Sequence, residues 1–160
     1  MDGSQASNLK HNVTFNDLRE YIEEVDKLGE LRRVQGATWE EDIGMAAELL
    51  LHSETAPCAL FDEIPGYPKG HRVFTNFFGG RRQNITLGFP PDLTKFELSV
   101  AFNKAYQEVV QRPLPYETVE TGPVMENIME GDDVDVLSLP TPLWHEGDGW
   151  RYIGTGSFNV

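Results

Sequence analysis

Arg112-Pro113-Leu114-Pro115 constrains this chain more than any other run. Proline fixes φ, lacks an N–H and restricts the residue before it, so two prolines one residue apart end any helix that reaches them. The 160 residues therefore divide into a segment up to 112 and a tail from 113 to 160. From Tyr116 to Val160 there are nine acidic residues and one basic, Arg151, so −8 of the net −13 lies in the tail. That balance argues against nucleic acid or another phosphate-bearing partner. A solvated acidic edge is the preferred reading over a specific basic partner, and in a fragment that surface would face other parts of its own protein.

Before the break, helical and strand patterns alternate. Thr14-Phe-Asn-Asp17 offers a helix start with Thr14 as cap. Phe15, Leu18, Tyr21, Ile22, Val25 and Leu28 then recur at helical spacing up to a stop at Gly29. Residues 30–34 read as a strand. Thr38-Trp-Glu-Glu41 is a second capping box, opening a helix that carries Ile43, Ala46, Ala47, Leu50 and Leu51 and ends near Ser53. Residues 57–62 read as a buried strand and 65–70 as a turn. Residues 71–76 read as a strand that can pair antiparallel with the one before it. After Gly79-Gly80, residues 81–87 fit a short helix. Residues 93–111 fit a longer one, with Leu93, Phe96, Val100, Ala105 and Val109 as its apolar face.

This order predicts an α+β (mixed α/β) fold: a small sheet with packed helices over 14–112, preceded by a disordered 1–13. In the tail, 117–121 and 123–124 read as extended, 132–139 as a loop with a short apolar segment, and 151–160 as a strand. No later residues are given to pair with that last strand, so the expectation is a chain that stops as a second domain begins.

Apolar residues make up 39%, with nine Phe, five Tyr and three Trp, which is enough for a core and excludes disorder throughout. No apolar run approaches the roughly 18 residues of a membrane span, and the N-terminus lacks a secretory pattern. Cys58 is the single cysteine, so no internal disulfide forms; its Ala-Leu-Phe context suggests a buried, unreactive strand thiol. A soluble cytoplasmic protein is the expectation.

Four groups of residues invite chemistry. His145, Glu146 and Asp148 carry metal-ligand and base types, but neighbours in one turn seldom face one centre and no second histidine is near in sequence, so a structural turn is the stronger reading. Gly79-Gly80-Arg81-Arg82 could hold an anion on backbone N–H groups and guanidiniums, yet it lacks a Walker or dinucleotide pattern; a solvated helix start is preferred. Gly154-Thr155-Gly156 reads as a bulge or close approach before it reads as a phosphate turn. Trp39, Trp144 and Trp150 read as anchors before they read as a stacking platform. His52 and His71 are expected as ordinary edge residues. Ser4, Ser7 and Ser53 lack a nucleophile elbow.

One run is more specific than these. Leu139-Pro-Thr-Pro-Leu-Trp-His-Glu-Gly-Asp-Gly-Trp-Arg-Tyr-Ile-Gly-Thr-Gly156 follows Ala59-Leu-Phe-Asp-Glu-Ile-Pro-Gly-Tyr-Pro68 and Arg72-Val-Phe-Thr-Asn-Phe-Phe-Gly79. In this order the three resemble the UbiD-type decarboxylases. The family pattern has Gly-Gly before Arg/Lys-Tyr-Ile; here Trp150 replaces the second glycine, which bears on the local turn. The similarity runs from about Thr14 onward and would cover roughly the first third of a multidomain family enzyme.

The resemblance implies non-oxidative decarboxylation of an aromatic or α,β-unsaturated carboxylic acid. It implies prenylated FMN as the electron sink, with a divalent metal and, as a further candidate ion, potassium. Residues 113–160 would then be a linker and the truncated start of a split β-barrel flavin-type domain. The family's metal ligands and its Arg–Glu–Glu set are expected beyond Val160, so no catalytic, cofactor-binding or metal residue is assigned within the sequence. The chain alone is expected to be inactive and not to bind the cofactor tightly. Its partners would be the remainder of the decarboxylase or a partner subunit, in a homo-oligomer. Two other readings stand beside this one: a non-catalytic interaction module, and a small flavin-binding protein.

Overall fold

The computed structural model describes residues 9–53, 55–113 and 115–153. Helix α1 (Leu18–Lys27) starts on Asp17, whose carboxylate accepts from the amides of Arg19 and Glu20 at 2.8 and 3.0 Å. The expected Thr14 cap is thus corrected by three residues. One aspartate oxygen meets two of the amides left orphaned by the first turn, and Glu20 reaches back to the Asn16 amide at 2.7 Å. Tyr21, Ile22 and Val25 are buried, whereas Leu18 is mostly exposed despite its spacing.

Strand β1 (Leu31–Gln35) runs parallel to β2 (Cys58–Asp62), with helix α2 (Asp42–Leu51) as the crossover between them. A parallel pair cannot be closed by a tight turn, and the intervening helix supplies the necessary length. Strand β3 (Val73–Thr75) pairs antiparallel with β2, as the sequence allowed, in the register Leu60↔Phe74. The order β1-β2-β3 makes β2 central. Its residues Cys58, Ala59, Leu60 and Phe61 are all buried, which explains why it reads as a continuous apolar run.

Helix α2 does not open on the expected Thr38–Glu41 box. Asp42, one residue later, accepts from both the amide and the hydroxyl of Thr38, at 2.8 and 2.7 Å, and Glu41 makes no capping bond. Behind α2 lies the main core: Ala37, Ile43, Ala59, Phe61 and Ile64, with Trp39, Leu50, Tyr67 and Trp144 packed against it.

Helix α3 (Gly80–Thr86) confirms the short helix, and α4 (Lys95–Gln111) the long one. Thr94 and Glu97 form a full capping box at the start of α4, a signal not read from the sequence. The expected apolar face holds in part, since Leu93 and Ala105 pack against the cluster of Phe89, Leu98 and Ala101. Leu98 and Ala101 are buried against Phe89, while Phe96 and Val109 are about two-thirds exposed. Two apolar stripes compete on this helix, and the narrower one packs. Residues 123–125 form a 3-10 turn with Pro123 at its first position, not the expected extended segment; the Met125 amide closes it on Gly122 O at 2.8 Å. Two more such turns cover Gly131–Asp133 and Val136–Ser138.

By contacts the chain forms two compact units. Among the described residues, one comprises 9–14 with 84–113 and 115–136; the other comprises 15–53 and 55–83 with 137–153. The sheet, α1, α2 and the main core belong to the second. Of the expected terminal strand, 151–153 are irregular and 154–160 lie outside the described residues. Among the described residues, no helix is long and apolar enough to cross a membrane.

Candidate functional site

In the sheet unit, the segment from Leu139 to Ile153 crosses α2 and borders a cleft of about 760 Å³. Two backbone features set its path. The Leu143 amide donates to Trp39 O at 2.9 Å. Gly44 lets the segment come close: a Cβ there would stand 2.4 Å from Trp144 O and 2.5 Å from Leu143 O. Glycine is therefore required at this turn of α2 for steric reasons. Pro142 is fully buried, and Trp144 packs on the main core.

The cleft walls come from α2 (Ala47, Leu51), β3 (Val73, Phe74) and the crossing segment (Leu139, Pro140, Tyr152). Polar groups stand at its edge: Glu48, Arg72 and His145. Thr75 also lines it, and its buried hydroxyl has no hydrogen-bond partner among the described residues. Such a pocket, mostly apolar with a few polar groups, is the usual form of a binding surface.

The structure brings some of the sequence candidates together. His145 and Asp148 close the expected turn: the His145 amide donates to Asp148 Oδ2 at 3.0 Å, and the Asp148 amide to His145 O at 3.0 Å. Glu146 is exposed. His52 is more than the edge residue expected. Its Nε2 lies 2.9 Å from Glu48 Oε1, and Glu48 Oε2 lies 3.6 Å from His145 Nε2. The Glu48–His52 spacing of four residues on an amphipathic helix was the available signal. Glu48 is held below the usual carboxylate range, chiefly by the His52 hydrogen bond. Among the described residues, no three His, Cys, Asp or Glu side chains are grouped to hold a metal ion.

Arg82 departs from the solvated helix start that was expected. Its side chain is 1% exposed and donates to Glu30 Oε2 at 2.6 Å, Ala56 O at 2.6 Å and Asn76 O at 3.2 Å. It is a structural bolt across the ends of the sheet. Nothing in its sequence neighbourhood marks Glu30, 52 positions away, as its partner. Arg81 keeps a longer contact with Glu30, at 3.7 Å.

The tryptophans act as anchors. Trp39 meets Trp150 edge-on at 6.2 Å, and the Arg151 guanidinium lies 4.3 Å over the Trp39 ring while donating to the Tyr67 hydroxyl. Trp144 Nε1 donates to Tyr152 O at 3.2 Å. Ser53 donates to Leu50 O at the end of α2, and the His71 amide closes a turn on Pro68 O. Cys58 is fully buried beside Glu30 O, and burial pushes its thiol up. Ser4, Ser7 and Gly154-Thr155-Gly156 lie outside the described residues.

Comparison with known proteins agrees with this architecture. Residues 22–112 match the 3-octaprenyl-4-hydroxybenzoate carboxy-lyase N-terminal domain, and residues 117–160 match the Rift-related domain of the same carboxy-lyase. Pyrrole-2-carboxylic acid decarboxylase of Pseudomonas aeruginosa is 29% identical over 153 residues, covering 90% of this chain and 30% of the relative. Phenolic acid decarboxylase of Streptomyces sp. strain D7 is 30% identical over 145 residues, covering 88% of this chain and 30% of the relative. Among solved structures, the open form of Sedimentibacter hydroxybenzoicus vanillic acid decarboxylase with truncated ShVdcD superposes with a TM-score of 0.73, at 28% identity over 87% of this chain and 30% of that one. The closed form gives 0.68, at 27% identity over 88% of this chain and 29% of that one. This chain thus spans about 30% of the length of the curated relatives it matches. The matches to the family's N-terminal domain and its Rift-related domain follow one another over 22–112 and 117–160, and the chain belongs to the UbiD family of carboxy-lyases as an N-terminal portion.

Proposed function

We propose that this chain supplies the N-terminal part of a non-oxidative carboxy-lyase acting on an aromatic or α,β-unsaturated acid. The observation that carries the reading is the succession of the two family domains over 22–112 and 117–160. In this reading 14–112 is the N-terminal α/β domain, and 113–160 is the linker and first part of a split β-barrel domain, in a cytoplasmic homo-oligomer. Prenylated FMN, a divalent metal and the catalytic Arg and carboxylates would be held by residues outside this sequence.

The described residues do not fit that cofactor. The arginine best placed after a glycine pair, Arg82, is committed to Glu30 and two carbonyls, and no metal-holding group is assembled among these residues. No chemical step is therefore routed through this chain's own side chains. Its contribution is to build the α2–β3 wall and to aim the 139–153 segment. When bound, the cofactor would supply the sink for the electrons left as CO₂ departs.

A second reading is favoured by one observation. The superposing vanillic acid decarboxylase is named as ShVdcCD, with a separate ShVdcD component, so completion by a partner subunit is the alternative to a continuous chain.

The test is to purify the gene product together with whatever polypeptide completes it, load prenylated FMN, and follow CO₂ release from a panel including pyrrole-2-carboxylate and phenolic acids. Release that needs both this chain and the remainder is the expected result. Full activity in a complex lacking residues 1–160 would overturn the proposal.

A further inference from the structure

The contact between α2 and the crossing segment has a charge arrangement that the decarboxylase reading does not use. Gly44 and Glu48 stand four apart on α2, and His52, four further on, is the residue that ends it, so the three form one stripe. The segment lies on that stripe. Its backbone touches the helix at Gly44, where there is no side chain to titrate. One turn on, its His145 meets Glu48, and His52 meets the same carboxylate from the other side, 2.9 Å from Oε1 against 3.6 Å from Oε2. Behind His145, Asp148 Oδ2 lies 3.6 Å from Nδ1. The sequence of groups is imidazole, carboxylate, imidazole, carboxylate. With both rings protonated the signs alternate along the whole row. With both rings neutral that attraction is absent, and the close approach at Gly44, the Leu143–Trp39 hydrogen bond and the packing of Trp144 remain. Arg72, just before β3, lines the same cleft, and exposed Glu146 adjoins His145.

We propose that Glu48, shared by His52 and His145, is a proton-dependent latch that holds the 139–153 segment on α2 more tightly at mildly acidic pH than at mildly alkaline pH. The Glu48 carboxyl, held below its usual range, stays ionised through that interval. The sign follows from charge: an imidazolium is attracted to the carboxylates on either side of it and a neutral ring is not, so protonation tightens the contact. It weakens again once the carboxylates protonate. Because the segment forms one wall of the cleft, the latch would set how firmly that wall is held.

The experiment is amide hydrogen exchange on the 160-residue chain at pH 6.0 and 8.0, corrected for intrinsic rates. It reads the Leu143 amide, which donates to Trp39 O, and a β2 amide as reference. For partly exposed charges the expected effect is about a two- to five-fold greater protection of Leu143 at pH 6.0, with no change in β2. Glu48→Gln and His145→Gln should each bring the ratio close to one, and 0.5 M salt should shrink it. Wild type with equal protection at both pH values would overturn the latch. So would Glu48→Gln retaining the wild-type ratio, since a merely structural contact keeps its protection without the charge.

Discussion

Replacing Arg82 by Met is the perturbation with the largest consequence outside the hydrophobic core. The side chain is 1% exposed and Glu30 is 18% exposed, so the pair is almost wholly withdrawn from water. Met keeps most of the volume but removes the donors to Glu30 Oε2, Ala56 O and Asn76 O. Breaking such a pair leaves a charge without its counter-ion, which costs about 3–5 kcal/mol. Arg81, 3.7 Å from the other Glu30 oxygen, offsets part of this and places the expectation near the low end, about 3 kcal/mol. With a typical slope for a small domain, that is a fall of roughly 1–3 M in the urea midpoint. Tryptophan fluorescence reports it, because Trp39 and Trp144 pack on the core of the same unit. The double variant Arg82→Met, Glu30→Met removes the stranded charge and should recover part of the loss. A loss under about 1 kcal/mol for Arg82→Met, or a double variant less stable than the single, would refute the bolt.

Three further outcomes follow from local contacts. Thr94→Ala removes the hydroxyl half of the α4 capping box and should cost about 1 kcal/mol, seen as reduced protection of the first-turn amides and a lower thermal midpoint. Cys58, fully buried with its thiol pushed up, should resist an aromatic disulfide reagent in native buffer and react completely in denaturant; fast native labelling would contradict its placement. Asp17 and Asp42 are held below the usual carboxylate range, by the backbone hydrogen bonds from Glu20 and Thr38 respectively, so the stability they contribute is present above the ordinary aspartate value and lost as pH falls through their depressed folded values. Asp17→Asn and Asp42→Asn should flatten the acid side of a helicity-against-pH curve between pH 5 and 2, and an unchanged curve would remove them as the cause.

Much of the sheet unit was legible because its signals are local. The helix of Tyr21, Ile22 and Val25, the buried run at Cys58–Asp62 and the turn at His145–Asp148 follow from spacing and composition. Both helix starts lie later than the threonines suggested, because carboxylates at 17 and 42 make the hydrogen bonds that fix them. Asp17 caps the amides of Arg19 and Glu20, and Asp42 accepts from the amide and hydroxyl of Thr38 itself, so in each case a carboxylate a few residues on fixes the start. On α4, spacing alone could not separate the Leu98–Ala101 stripe from the exposed Phe96–Val109 one, since both repeat at helical period. Arg82 and the Glu48–His145 contact were illegible for another reason. Each joins residues dozens of positions apart, and polar partners carry no periodicity that points across such a gap.

The central claim, that this chain is the front of a carboxy-lyase whose chemistry needs residues outside it, is tested most directly by CO₂ release from aromatic acids in the presence of prenylated FMN. The purified 160-residue chain is predicted to release none, and the same chain joined to the remainder of its enzyme is predicted to turn over. Sustained CO₂ release by residues 1–160 alone would contradict the account.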